Sequence, residues 1–229
     1  MKCNQIIVAL DVANFEDAVK LVQLLPDVTF WKVGLELFIA AGPEILSYLK
    51  RENKSIFLDL KLNDIPNTMA GACRSALKYE VDLITLHVSS GRAALEASLK
   101  SIKQSAKPPK LLGVTVLTSL SSQDLSISQD ISDYVLSLAL LAKEVGLAGS
   151  ICSPLELNKL RHSCGQDFLL ICPGIRPSWS DAGDQKRTLT PSDALARGAN
   201  YLVIGRPITG AVDPVSAWSK LVEELEYNL

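Results

Sequence analysis

The sequence predicts a (β/α)8 barrel, the TIM-barrel architecture, in a single domain over residues 1–229. Three observations predict it. Short apolar runs recur along the whole chain, and most are followed by a segment with apolar residues at three- and four-residue spacing, which is the pattern of β/α units. Eight such runs are present, the number that closes a barrel, and 229 residues is close to the roughly 250 typical of that fold. With 48% hydrophobic and 21% charged residues, the chain has the composition of a globular protein with a large core. A doubly wound open sheet shares the alternation; strand count and unit length favour the barrel.

Taken in order, the first strand is expected over 6–10, an apolar run ending at Asp11, with a helix over 15–25. The second strand, 29–33, carries Lys32 and leads to a helix over 43–50 that begins at Pro43, where a missing N–H costs nothing. The third, 55–60, alternates with a period of two and is followed by a helix over 67–79. The fourth, 83–87, ends at His87 before a helix over 91–104; the fifth, 111–115, runs into a Ser-, Gln- and Asp-rich loop, 119–130, and a helix over 131–145. Strand six, 149–151, precedes a helix over 154–162, and strand seven, 168–171, precedes a long polar loop, 176–190, suited to be a lid. A helix over 191–197, strand eight over 201–204 and a helix over 214–226 complete the pattern, each of the last three expected helices beginning at a proline.

The 23 Lys and Arg against 25 Asp and Glu give a net charge of −2, so no global field would hold a nucleic acid or an anionic membrane. Any bound anion must be held by local charges. Two histidines, His87 and His162, cannot assemble a multi-histidine metal site. Five cysteines without C-x-x-C spacing read as reduced thiols. The N-terminus lacks a signal-peptide pattern and no apolar stretch approaches ~18 residues, which points to the cytoplasm.

Barrel active sites form at the C-terminal strand ends, and polar residues converge there: Asp11, Lys32, Asp59 with Lys61, His87, Arg176, and Gly205 with Arg206. In the third strand, Ile56, Leu58, Leu60 and Leu62 share one face, suited to packing under helices. Phe57, Asp59 and Lys61 share the other, which would point into the barrel. Burying either ion unpaired costs several kcal/mol. An isolated D-x-K is most simply an ordinary ion pair on a solvated strand. Lys32 on the adjacent strand and Asp64 just beyond would extend it into an alternating array that keeps each lysine protonated.

Asp59-Leu-Lys61-Leu-Asn-Asp64-Ile-Pro-Asn-Thr68, after Lys32-Val-Gly34 and before Pro173-Gly-Ile-Arg176-Pro177 and Gly205-Arg206-Pro-Ile-Thr209, closely resembles the orotidine 5′-phosphate decarboxylase family. The match in order and spacing runs from Asp11 to Thr209. The resemblance implies decarboxylation of orotidine 5′-phosphate to uridine 5′-phosphate, the last step of UMP synthesis, with no metal or organic cofactor. It implies that Lys61 stabilises and protonates the carbanion at C6, that Asp59 sits beside the departing carboxylate, and that Lys32 and Asp64 hold the array. Asp11 and Lys32 would meet the ribose hydroxyls, and Thr118 the pyrimidine edge. Asp64 and Thr68 would reach the site of a second subunit, making a homodimer with shared sites. The phosphate is expected where strands seven and eight end, at Gly205 and Arg206, with Arg176 and Gln185 brought in by the loop.

On local grounds Thr118 reads equally as a loop hydroxyl capping backbone, and any one rim arginine as mere solvation. His87 is read as packed or hydrogen-bonded, without a proton-transfer role. Ser89-Ser90-Gly91 departs from the glycine pair often seen in the family after this histidine. Two other functions remain: a magnesium-dependent sugar-phosphate decarboxylase or aldolase of the same barrel group, which would carry an acid where this chain has Lys32, and a non-catalytic phosphate-ligand barrel.

Overall fold

A computed structural model describes residues 2–120, 122–180 and 189–227. Its eight strands are β1 (Ile6–Ala9), β2 (Phe30–Gly34), β3 (Ser55–Leu62), β4 (Leu83–His87), β5 (Lys110–Val114), β6 (Gly149–Ile151), β7 (Leu169–Cys172) and β8 (Tyr201–Ile204). All pair in parallel in sequence order, and β8 closes on β1 through Ile6↔Leu202 and Val8↔Ile204. Around the barrel lie α1 (Phe15–Leu24), α2 (Leu35–Ala41), α3 (Glu44–Arg51), α4 (Pro66–Ala76), α5 (Arg92–Ile102), α6 (Ile131–Val145), α7 (Leu157–Cys164), α8 (Pro191–Ala196), α9 (Arg206–Thr209) and α10 (Pro214–Tyr227). The fold is the closed (β/α)8 barrel expected.

Local signals set the helix ends. The Asn14 side chain accepts from the Asp17 N–H to start α1, and Asp130 does the same for Ser132 at the start of α6. Helix α6 ends at Gly146 (φ 93°), where the Leu147 N–H reaches back to the Ala142 carbonyl, a turn that needs the left-handed region.

Two apolar layers result. Ile7, Ala9, Phe30, Phe57, Leu83, Leu112, Ile171 and Val203 fill the barrel interior. The larger layer, including Trp31, Ile56, Leu58, Leu95, Leu160 and Leu221, packs between strands and helices. Strand β3 therefore divides as its period of two requires: Phe57 inside, Ile56 and Leu58 outside.

Three features differ from the sequence reading. Helix α2 follows β2 with no linker and exposes Leu35 and Ile39 while burying Leu37, so its apolar residues do not form one stripe. Strand β3 continues to Leu62, two residues beyond the expected end. A one-turn helix, α9, opens at Arg206, in the stretch left unassigned between the eighth strand and the last helix. The long loop after β7 is closed at its base by an Ile175↔Leu189 bridge, with the Arg176 N–H on the Leu189 carbonyl at 3.0 Å.

Candidate active site

Strand register brings the charges together. Ala9 pairs with Lys32, and Asp11 lies just past the end of β1, so its carboxylate meets the Lys32 ammonium at 2.9 Å. Gly34 pairs with Asp59. A Cβ on Gly34 would lie 2.9 Å from Lys32 Nζ and 3.5 Å from Asp11 Oδ1, so glycine leaves the room this pair occupies. Asp59 is buried; its Oδ2 accepts from Lys61 Nζ at 2.8 Å and lies 3.9 Å from Lys32 Nζ. The four groups alternate Asp11, Lys32, Asp59, Lys61, two negative and two positive, at the C-terminal ends of three adjacent strands. Mutual pairing at these distances offsets the cost of removing the charges from water.

Lys61 is set on an irregular stretch of backbone. Leu58 pairs with Ile84 and Leu62 with Leu86, so Asp59, Leu60 and Lys61 together oppose Thr85 alone. Lys61 has φ 49°, a conformation costly for a residue with a side chain, and such bulges re-aim side chains beside functional sites. The Lys61 N–H donates to Thr85 Oγ1 at 2.8 Å, and Thr85 Oγ1 donates to Asp59 Oδ1 at 3.0 Å. Thr85 was not among the residues singled out from sequence. The signal was available: it is a polar residue at the inward phase between Leu83 and His87.

His87 stands half-buried at the end of β4. Burial first, then the positive charge of Lys61, lower its imidazole from the ordinary value, with Asp59 pulling the other way. It is therefore kept neutral near pH 7. Ser90 Oγ donates to the His87 carbonyl at 2.6 Å, and Gly91 (φ 87°) ends the short 3-10 turn Val88–Ser90.

Of the other expected residues, Gly205 is set against this cluster. Gly205, at the end of β8, lies beside Asp11: a Cβ there would be 3.5 Å from Asp11 Oδ2. Arg206 is exposed on the first turn of α9, and the Arg176 guanidinium donates to the Ile175 carbonyl at 3.0 Å. Thr118 is exposed beyond β5. Gln185 lies outside the described residues. Among the described residues Asp64 does not join the array: its carboxylate accepts from the Ile65 N–H. It stands in a run of exposed residues, 63–68, that includes Ile65 and Thr68.

All five cysteines are free. Cys152 and Cys172 lie buried with their sulfurs 3.5 Å apart; that contact, then burial, raises the Cys152 thiol well above its ordinary value. A protonated, buried thiol is a poor nucleophile. A cleft of about 640 Å³ lies at the opposite, N-terminal end of the barrel, but its Asp82 carboxylate is engaged by the Ile56 N–H at 2.7 Å.

A parallel eight-stranded barrel with paired lysines and carboxylates at its C-terminal mouth has its charged groups where barrel enzymes place their active sites. Residues 4–221 match the family model described as "Orotidine 5'-phosphate decarboxylase / HUMPS family", and the chain belongs to that family. Among curated proteins it is 56% identical to the orotidine 5′-phosphate decarboxylase of Gloeothece citriformis, over 97% of both chains. Its identity to the enzyme of that name from a Nostoc species is 55%, over 98% of both. A crystal structure of orotidine 5′-phosphate decarboxylase from Lactobacillus acidophilus superposes with a TM-score of 0.85 at 38% identity, covering 96% of this chain and 98% of that one. The chain is a carboxy-lyase of this family.

Proposed function

We propose that the protein converts orotidine 5′-phosphate to uridine 5′-phosphate and CO₂, closing UMP synthesis in the cytoplasm, and that it needs no metal or organic cofactor. The observation that carries this reading is the Asp11, Lys32, Asp59, Lys61 array at the barrel mouth. Breaking the C6–carboxylate bond leaves the electron pair on C6, in an orbital the ring π system cannot delocalise. Stabilisation must come from positive charge already in place. Lys61 supplies it and then transfers a proton to C6, after which the neutral amine regains a proton from solvent. Asp59 holds Lys61 at 2.8 Å and lies beside the leaving carboxylate.

Asp11 and Lys32 bind the ribose hydroxyls, Thr118 the pyrimidine edge, and Gly205, Arg206, Arg176 and Gln185 the phosphate. Phosphate binding energy drives loop closure, which expels water and strengthens the array. Asp64 and Thr68 serve the site of a second subunit in a homodimer; the exposed Ile65 between them supports a covered face. Among the described residues no helix is long and apolar enough to cross a membrane.

The two carboxylates of the array already face lysines, at 2.9 Å and 2.8 Å, so a divalent cation placed there would meet ammonium groups. The test is a spectroscopic assay of orotidine 5′-phosphate loss with and without EDTA. Turnover that survives EDTA is expected. A strict Mg²⁺ requirement would overturn the cofactor-free reading, and no turnover under either condition would favour a phosphate-ligand binding barrel.

A further inference from the structure

We propose that Thr85 is a positioning residue for the reaction: its hydroxyl holds both the carboxylate of Asp59 and the irregular backbone that aims Lys61. The proposal rests on the roles assigned above to those two residues. Thr85 sits in the middle of β4 and is fully buried, facing the bulge of β3. Three residues of β3 oppose it, so the regular ladder cannot satisfy the Lys61 N–H, which donates instead to Thr85 Oγ1 at 2.8 Å.

The direction of the second bond follows. An amide can only donate, so the threonine hydroxyl accepts there and its own proton is free for Asp59 Oδ1, 3.0 Å away. With Oδ1 held by Thr85, the other oxygen of Asp59 is turned to Lys61 Nζ at 2.8 Å and toward Lys32 Nζ at 3.9 Å. One hydroxyl thus couples the main chain of Lys61 to the carboxylate that pairs with its side chain. Removing it frees the rotation of Asp59 and leaves an inward N–H without a partner in a segment already held at φ 49°.

A valine at this position keeps the shape and deletes the hydroxyl. Thr85→Val is expected to lower kcat roughly 10- to 100-fold, the span of a lost hydrogen bond to a charged group, with KM within about threefold of the parent. Thr85→Ser, which restores the hydroxyl, recovers most of the loss; a residue needed only for packing would give no such rescue. If Thr85→Val does not fold, Thr85→Cys fits the same space and, with its weaker donor, shows a smaller loss in the same direction.

Lys61→Ala assayed beside these variants separates the two readings. An inactive Lys61→Ala with Thr85→Val at parental kcat overturns the role of Thr85 and leaves that of Lys61 standing. Parental turnover in Lys61→Ala removes the catalytic reading, and the crystal structure of Thr85→Val then decides Thr85 alone. An Asp59 carboxylate rotated off Lys61 supports the positioning role, and an unchanged Asp59–Lys61 geometry overturns it.

Discussion

The two ends of the barrel use polar residues in opposite ways. At the N-terminal end they hold backbone. Asp82 accepts from the Ile56 N–H, and Asn200 Oδ1 from the Leu170 N–H. The Arg161 guanidinium donates to the carbonyls of Gly165, Phe168 and Gly198 as well as to Asn200, tying the turn before β7 to the turn before β8. All but the Arg161–Asn200 bond, which joins two side chains, satisfy a main-chain group that would otherwise be costly to bury. At the C-terminal mouth, polar side chains are paired mainly with each other, beside a backbone pulled out of register at Lys61. Pairing with backbone fixes the fold, whereas pairing side chain to side chain leaves charges positioned to face a ligand.

Substitutions at the two ends should therefore cause separable losses. A large loss falls on the mouth: Asp59→Asn, which removes the anion between Lys32 and Lys61, should lower kcat by roughly 10²- to 10³-fold, with a melting temperature near the parent's. Steady-state kinetics beside a thermal melt measure both. At the other end, Arg161→Ala should cost roughly 3 kcal/mol of stability, a drop of about 6–12 °C in melting temperature, while kcat stays at the parental value. A large kinetic defect there would break the contrast.

A smaller effect is expected at the mouth's rim. Arg206→Ala should raise KM for the nucleotide roughly 10-fold or more, the value of a charge-assisted bond, and leave turnover of a phosphate-free nucleoside unchanged. Equal losses on both substrates would remove Arg206 from the phosphate site.

The smallest effect is a pH dependence. The His87 imidazole is lowered from its ordinary value in the folded protein, so the unfolded chain binds the proton more readily. Its contribution to stability is complete above about pH 6.5 and is lost as pH falls through that value toward the lower folded one. His87→Asn should therefore compare more favourably with the parent at pH 5 than at pH 7.5 in paired thermal melts. A constant difference would mean that His87 is not the group responsible.

Much of this was legible in the sequence because it depends on period and order. Alternation in β3 is enough to put Phe57 inside and Ile56 outside, and the charges past each apolar run are brought to one end by any parallel barrel. The bulge at Lys61 was not legible, since Leu-Lys-Leu contains no glycine or asparagine to signal a positive φ. It is supported from a neighbouring strand, by the hydroxyl of Thr85. Helix α2 was hidden for a related reason: apart from Glu36, Val33-Gly-Leu-Glu-Leu-Phe-Ile-Ala-Ala41 carries no polar side chain to mark a face, and only the fold buries Leu37 while exposing Ile39. Asp64 illustrates the limit of a single chain, because its motif position is clear while, among the described residues, its carboxylate is engaged by the neighbouring Ile65 N–H and not by the array.

In the proposed reaction the mouth's lysine carries the chemistry and not the fold. Lys61→Ala measures it most directly, through kcat for orotidine 5′-phosphate loss in a protein whose melting temperature is read from the same preparation. A fall in kcat of roughly 10³-fold or more, with a melting temperature within a few degrees of the parent, is the predicted result. Turnover at the parental rate, or a loss of activity that merely follows loss of the folded state, would contradict it.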